Sequence, residues 1–169
     1  MFIKKVNYLY KFLIIFFLIL PINISRAEFF KDISNIITIN ENRLSYGVSV
    51  TDINSDGNNE FIVTGFGYPN LALSYIDGEL KNIIQEEIFL DRDRKTIGVA
   101  ACDLDKDGFE EIYFLNTDTY SGTKKYSDRL IDKNNNNFFD LFELKKNREN
   151  LNLTAGRSVV CVDRKGNGE

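Results

Sequence analysis

Histidine is absent from all 169 residues. That removes the commonest general acid–base and the commonest transition-metal ligand. The chain has no G-x-S-x-G, no H-E-x-x-H and no phosphate-binding glycine loop, so the usual residues of serine hydrolases, zincins and P-loop enzymes are missing. No basic patch with interleaved aromatics occurs, which speaks against a nucleic-acid partner. Cysteine is limited to Cys102 and Cys161. An unbroken apolar stretch occurs at Phe12 to Leu20, directly before Pro21, and it is well short of the roughly 20 residues that span a bilayer.

That short run has the flanks of a secretory signal. Lys4, Lys5 and Lys11 supply a positive start, and Ser25 and Ala27 stand at the −3 and −1 positions of a cleavage site. The expected signal peptide is 1–27, cut after Ala27. No membrane span is then expected, and the product is secreted, periplasmic or on the cell surface. Residues 28–169 keep 17 Lys and Arg against 25 Asp and Glu. Such a length suits about one domain. An exported chain meets oxidising conditions, so a disulfide between the two cysteines is allowed. Cys102 lies one residue before Asp103, whereas Cys161 lies two before Asp163. Neighbouring strand residues face opposite sides, so a disulfide and two separately buried thiols both remain open.

Two acidic loops dominate what is present. Asp52-Ile53-Asn54-Ser55-Asp56-Gly57-Asn58-Asn59-Glu60 and Asp103-Leu104-Asp105-Lys106-Asp107-Gly108-Phe109-Glu110-Glu111 both read D-x-[DN]-x-D-G-x-x-E. Side-chain oxygens at positions 1, 3, 5 and 9, with Gly at position 6 for the sharp turn, form a set of hard ligands suited to Ca²⁺. Position 7, Asn58 or Phe109, can offer its backbone carbonyl. These are not EF-hands: position 12 is Val63 or Phe114 rather than Glu, and the flanking runs are strand-like. An ordinary polar turn accounts for Asp, Asn and Gly. It does not need three spaced oxygens plus Glu in both copies, because close carboxylates repel without a cation. The candidate metal ligands are therefore Asp52, Asn54, Asp56, Asn58, Glu60, Asp103, Asp105, Asp107, Phe109 and Glu111. Asn54 leaves the first site one charge poorer, so it should bind more weakly.

The repeat extends beyond the loops. Gly47 to Thr51 and Phe61 to Thr64 flank the first loop, and Ile97 to Cys102 and Ile112 to Leu115 flank the second; all four runs read as strands. Further strands are expected at Leu71–Ile76, Tyr126–Asp132 and Phe138–Leu144; Ile36–Ile39 can form a lead-in strand, and Lys81–Leu90 reads as a fourth strand or as an edge strand followed by a loop. Asp77-Gly78 and the Asn134–Asn137 run are expected turns. Asp91 to Lys95 reads as a solvated charged connector, Lys145 to Asn152 as a short helix or irregular insertion, and Asn152-Leu153-Thr154 has the form of a glycosylation sequon. A third copy opens at Ala155, with Asp163, Asn167 and Gly168 at positions 1, 5 and 6 but Lys165 at position 3. Units of this size point to an all-β fold, a partial β-propeller with blades at about 44–90 and 96–144 and the start of a third at 155–169. A four-stranded blade cannot finish inside its first loop, so a truncated propeller is expected.

The pattern resembles the FG-GAP/VCBS repeats of integrin-α-like propellers. The stretches GVSVTDINSDGNNEFIVTGFGYPNLALSY, IGVAACDLDKDGFEEIYFLNT and AGRSVVCVDRKGNGE resemble more specifically the N-terminal blades of the cartilage acidic protein (ASPIC/UnbV) family, Lys165 included. That resemblance covers about residues 44–169 and implies a secreted, calcium-binding propeller with adhesive or interaction roles. It carries no catalytic residue onto this chain, and the C-terminal ASPIC/UnbV domain is not in it. The expected function is non-enzymatic. The implied partner is an extracellular or cell-surface protein or glycan. The alternative is a propeller enzyme whose active site lies outside this sequence.

Overall fold

Short runs of Val, Ile, Phe and Tyr between Asp- and Asn-rich breaks form strands because such side chains suit a pleated, half-buried surface. The computed structural model describes residues 30–134 and 137–162. Its strands are β1 (Val48–Thr51), β2 (Glu60–Val63), β3 (Leu71–Ile76), β4 (Glu79–Asn82), β5 (Thr96–Cys102), β6 (Glu111–Asn116), β7 (Arg129–Asn134) and β8 (Asn137–Asp140). They make two four-stranded antiparallel sheets, each in sequential order, β1-β2-β3-β4 and β5-β6-β7-β8. The expected all-β class holds, and each sheet is a meander of the kind that propeller blades use. All of these elements lie in a compact unit beginning at Ile33. No helix of the described residues is long and apolar enough to cross a membrane.

The β3–β4 hairpin closes on Asp77-Gly78, with φ of 54° and 86°. Positive φ at both central residues is the two-residue turn whose twist matches the strands. Register then decides what is buried. Ser49, Ile62 and Ala72 are paired neighbours and share one face of the first sheet. Val99 pairs with Phe114, and Ile112 with Ile131, on one face of the second. Ile62, Ala72, Val99, Ile112, Phe114 and Ile131 join Ile53, Ile84 and Phe89 in a single buried cluster. Each of the larger side chains, Ala72 apart, stabilises the fold by about 1.5–3 kcal/mol. The two sheets approach closely at Gly47, just before β1, where a Cβ would stand 2.9 Å from the Gly98 Cα.

Several elements differ from expectation. Of the two readings of Lys81–Leu90, the strand followed by a loop is the nearer: β4 ends at Asn82, and the segment after it closes in a helical turn, α1 (Glu87–Leu90). Phe89 and Leu90 are adjacent and both buried; successive strand residues face opposite sides, whereas a turn of helix admits both. Phe89 meets Phe114 edge-on at 5.2 Å. At Ile36–Ile39 there is no strand but a 3-10 turn, Ser34–Ile36, and a single parallel bridge from Ile37 to Leu80. Thr38 bonds the Leu80 carbonyl through both its amide and its hydroxyl, and the pairing stops there. β7 starts at Arg129 rather than Tyr126, because the Asp128 carboxylate is turned inward onto the Asn116 amide at 2.7 Å. β8 ends at Asp140, whose carboxylate accepts from the amides of Leu130 and Phe142 at 3.1 and 2.9 Å and opens a 3-10 turn, Leu141–Glu143. Lys145–Asn150 is also 3-10.

The connector after α1 is not simply solvated. Asp91 is 4% exposed and sits in the left-handed region with φ 48°. Its carboxylate accepts from Arg94 at 2.7 Å, from Arg129 at 2.8 Å and from the Asn116 amide group at 3.0 Å. Arg129 also reaches Asp140 at 3.0 Å. A second buried pair lies alongside: Lys124 Nζ and Asp128 are ion-paired with side chains 0% exposed, and Lys124 Nζ also donates to the Asn116 carbonyl at 2.8 Å. Asp128 further accepts from the Tyr113 hydroxyl at 2.7 Å and from the Asn152 side chain at 2.6 Å. The sequon asparagine is thus committed to a buried carboxylate.

Residues 155–162 carry no strand, since a ladder needs a partner and none of the described residues supplies one. The proposed signal peptide 1–27 and the third loop's Asp163, Lys165, Asn167 and Gly168 lie outside the described residues.

Candidate metal centre

Each acidic loop is suspended between the first two strands of its sheet. β1 delivers Asp52 and β2 opens on Glu60; β5 delivers Asp103 and β6 opens on Glu111. Thr51 pairs directly with Glu60, and Cys102 with Glu111. Both glutamates are buried, at 0% and 2% exposure. The loops repeat one backbone shape. Position 4 is left-handed in both, with φ 67° at Ser55 and 68° at Lys106, and so is position 6, with φ 88° at Gly57 and 93° at Gly108. Gly adopts that conformation freely, whereas Ser and Lys do so at a cost.

In the first loop the Asp52 carboxylate accepts from the amides of Asp56 and Gly57 at 3.0 and 2.9 Å. Asn54 Oδ1 accepts from the Asp56 amide at 2.9 Å, and its amide group donates to Asp56 Oδ2 at 3.0 Å. Asp56 Oδ1 accepts from the backbone and side chain of Asn58 at 2.8 and 3.0 Å. Glu60 Oε2 accepts from the Ile53 amide at 3.1 Å. In the second loop Asp103 accepts from Lys106 and Gly108 at 2.6 and 3.1 Å, Asp105 from Asp107 at 3.1 Å and Asp107 from Phe109 at 2.8 Å. Glu111 Oε2 accepts from the Leu104 amide at 2.6 Å.

One oxygen on each glutamate is left over. Glu111 Oε1 and Glu60 Oε1 are buried and make no well-formed hydrogen bond among the described residues, although the Ser74 hydroxyl lies near enough to the Glu60 carboxylate to ease its charge. A buried acceptor without a partner is costly, and here it borders other carboxylates. Asp103, Asp105 and Glu111 each bring a carboxylate oxygen within 4.8 Å of the others. Asp107 is outside that group. Among the described residues no matching group of three carboxylates forms at Asp52, Asp56 and Glu60, where Asn54 takes the place of an acid.

The electrostatics agree with the geometry. Burial, with the charges of Asp56 and Asp52 behind it, raises the Glu60 carboxyl above its ordinary value; burial, then Asp105 and Asp132, does the same for Glu111. Asp56 is lowered, chiefly by the Asn58 amide and then by Asn54. The donor set is all oxygen and largely anionic, which suits a hard cation such as Ca²⁺ or Mg²⁺ rather than a transition metal.

Two neighbours of the second loop were not legible as such. Asp132 on β7 is raised by burial and by the charges of Asp105 and Asp107. Lys133 Nζ donates to the Ile53 carbonyl of the first loop at 2.9 Å and lies 5.8 Å from the Phe109 ring centroid. Asp132-Lys133 looks like any polar strand end, and only the packing of the two sheets brings it to the loops. The cysteines are joined: Cys102 and Cys161 form a disulfide with a Cα–Cα distance of 6.3 Å. Strand-face alternation does not restrict Cys161, because its segment is not in a ladder.

Residues 52–114 match the FG-GAP-like repeat family. Over 140 residues the chain is 47% identical to cartilage acidic protein 1 of Xenopus tropicalis, 46% identical to that of Homo sapiens and 45% identical to that of Mus musculus. Those alignments take in 76% of this chain and 21–22% of each relative. The chain therefore spans little more than a fifth of the length of the curated relatives it matches.

Proposed function

We propose that this FG-GAP-like repeat protein, homologous to cartilage acidic protein 1, is a non-enzymatic scaffold outside the cytosol whose acidic loops are braced by Ca²⁺. The observation that carries the reading is Glu111 Oε1: it is buried, has no hydrogen-bond partner among the described residues, and its carboxylate is grouped with those of Asp103 and Asp105. Asp103, Asp105, Asp107 and Glu111 would hold the ion in the second loop, with the Phe109 carbonyl. Asp52, Asn54, Asp56 and Glu60, with the Asn58 carbonyl, would hold it in the first. The cation offsets the repulsion among these carboxylates and the desolvation of the glutamate. Extracellular calcium modules bind at about 10⁻⁴ to 10⁻³ M, so the role is structural rather than signalling.

Export is supported by the disulfide, since such bonds persist in oxidising compartments. The partner is an extracellular or cell-surface protein or glycan, met by the finished repeat array. The absence of histidine and of nucleophile motifs favours binding over catalysis.

Calcium titration with thermal unfolding tests the reading, comparing the native sequence with an Asp56→Ala, Asp105→Ala double variant. At one hundred times the dissociation constant each site should add about 2.7 kcal/mol. The melting temperature should rise with millimolar calcium in the native protein and stay flat in the variant. A native melt indifferent to calcium defeats the reading.

A further inference from the structure

We propose that the Cys102–Cys161 disulfide positions the second acidic loop, so that its reduction weakens divalent-cation binding at that loop and leaves the first loop unchanged. The inference rests on the calcium reading above and adds a redox control to one of its two sites. Cys102 is the last residue of β5, immediately before Asp103, and lies directly opposite Glu111 in the β5–β6 register. The sulfur bridge therefore leaves from the point where two of the three grouped carboxylates are anchored.

The other end of the bridge is a segment tied mainly at its start, where the Ala155 amide donates to the Gly122 carbonyl at 2.9 Å and Arg157 donates to the Tyr120 carbonyl. Cys161 belongs to residues 155–162, which carry no strand. A cleft of 370 Å³ lies between that segment and the second sheet, lined in part by Cys102, Leu104, Glu111, Tyr113, Val160 and Cys161. Val160 and Val162 are 75% and 63% exposed. Packing alone does not seal the wall beside Glu111. The covalent bond is the tie at the far end of the segment, beside Glu111.

The first loop is an internal comparison. Thr51 occupies the place of Cys102, pairs with Glu60 in the same way, and is 2% exposed. Its loop is fixed by burial and by the Lys133 bond to Ile53, with no sulfur involved. Ligand geometry is sensitive to such supports: losing a group that orients a metal ligand typically costs about 10–100-fold in affinity.

The redox step is an ordinary exchange. A dithiol thiolate attacks one sulfur, the S–S bond breaks, and a mixed disulfide forms. The reductant's second thiolate then attacks its own sulfur in the mixed disulfide, breaks the bond to the protein sulfur and releases the remaining cysteine as a thiolate that takes up a proton. Two electrons and two protons pass to Cys102 and Cys161, which end as thiols, and the dithiol ends as its own disulfide. Cys161 is exposed and Cys102 half-buried, so the bond can be reached. Coupling is reciprocal: if the bond favours the cation, the cation protects the bond.

The test is calcium calorimetry on the whole chain in three forms: oxidised, reduced with dithiothreitol, and carrying Cys102→Ser with Cys161→Ser. Asp56→Ala and Asp105→Ala variants assign each binding step to its loop. Reduction or double substitution should weaken the second step about tenfold or more and leave the first within twofold. Dithiothreitol should also cleave the disulfide more slowly in millimolar calcium than in chelator. Equal second-step affinities in all three forms overturn the proposal. So does a parallel loss at both loops, which would make the bond a general staple of the fold. An oxidised protein that binds no calcium defeats the calcium reading itself, and is told apart because no form then shows a binding step.

Discussion

At the scale of single residues, Glu60 and Glu111 make opposite demands with and without the cation. Their carboxyls are raised above an ordinary value of 4.5, first by burial. A raised carboxyl binds its proton more tightly in the folded state, so this contribution is present at pH below 4.5 and is lost as pH rises through the higher folded value. In chelator the protein should therefore lose stability between mildly acid and neutral pH, and Glu111→Gln should flatten that loss and melt no lower than the native chain at pH 7. In millimolar calcium the order should reverse, because the amide supplies a poorer ligand. Thermal melts of both proteins across pH, with chelator and with calcium, check the crossing; a variant less stable than the native protein in both media would disprove it. The spacing of these ligands could be read directly from the sequence because a metal loop is local: nine consecutive residues contain it. The left-handed Ser55 and Lys106 could not, since neither residue type signals that conformation and only the doubled amide bonds onto Asp52 and Asp103 impose it.

At the scale of elements, strands announced by alternating apolar residues were legible, and their ends were not. The ends are set by buried carboxylates. Asp128 and Asp140 take backbone amides that the ladder would otherwise use. The run Asp91-Arg92-Asp93-Arg94-Lys95 has the composition of a solvated link, yet Asp91 is paired with Arg129, thirty-eight residues away. No local pattern encodes such a partner. Asp91→Ala would leave Arg94, Arg129 and Asn116 short of an acceptor in a mostly buried setting. Breaking a buried pair from one side costs about 3–5 kcal/mol, and denaturant unfolding should show a loss in that range. A loss below about 1 kcal/mol would place the pair with exposed ion pairs instead.

At the scale of the whole molecule, the two sheets can be compared position by position. Val48, Val50 and Phe61 in the first sheet correspond to Val99, Ala101 and Ile112 in the second: four and two residues before the first Asp of the loop, and one after its Glu. Val99 and Ile112 are 7% and 2% exposed against the first sheet, whereas Val48, Val50 and Phe61 are 61%, 50% and 43% exposed. The repeat was readable as a repeat; which of its faces would be covered was not, because that depends on neighbours rather than on the unit. Contiguous exposed apolar surface on a sheet invites association. The segment 28–169 should accordingly self-associate with rising concentration, and Phe61→Lys should reduce that association in light scattering while changing stability by no more than about 0.5 kcal/mol, the usual range for surface changes. A strictly monomeric native segment would show that the face needs no cover. The buried Lys124–Asp128 pair has a practical corollary. An amine reagent can modify exposed lysines in the native state but reaches Lys124 only when the second sheet opens, since its side chain is 0% exposed. The appearance of label at that residue, followed by mass spectrometry at rising temperature or falling calcium, would serve as a built-in clock for the opening of the sheet. Label there as fast as at Lys106 would mean that the sheet breathes open continuously.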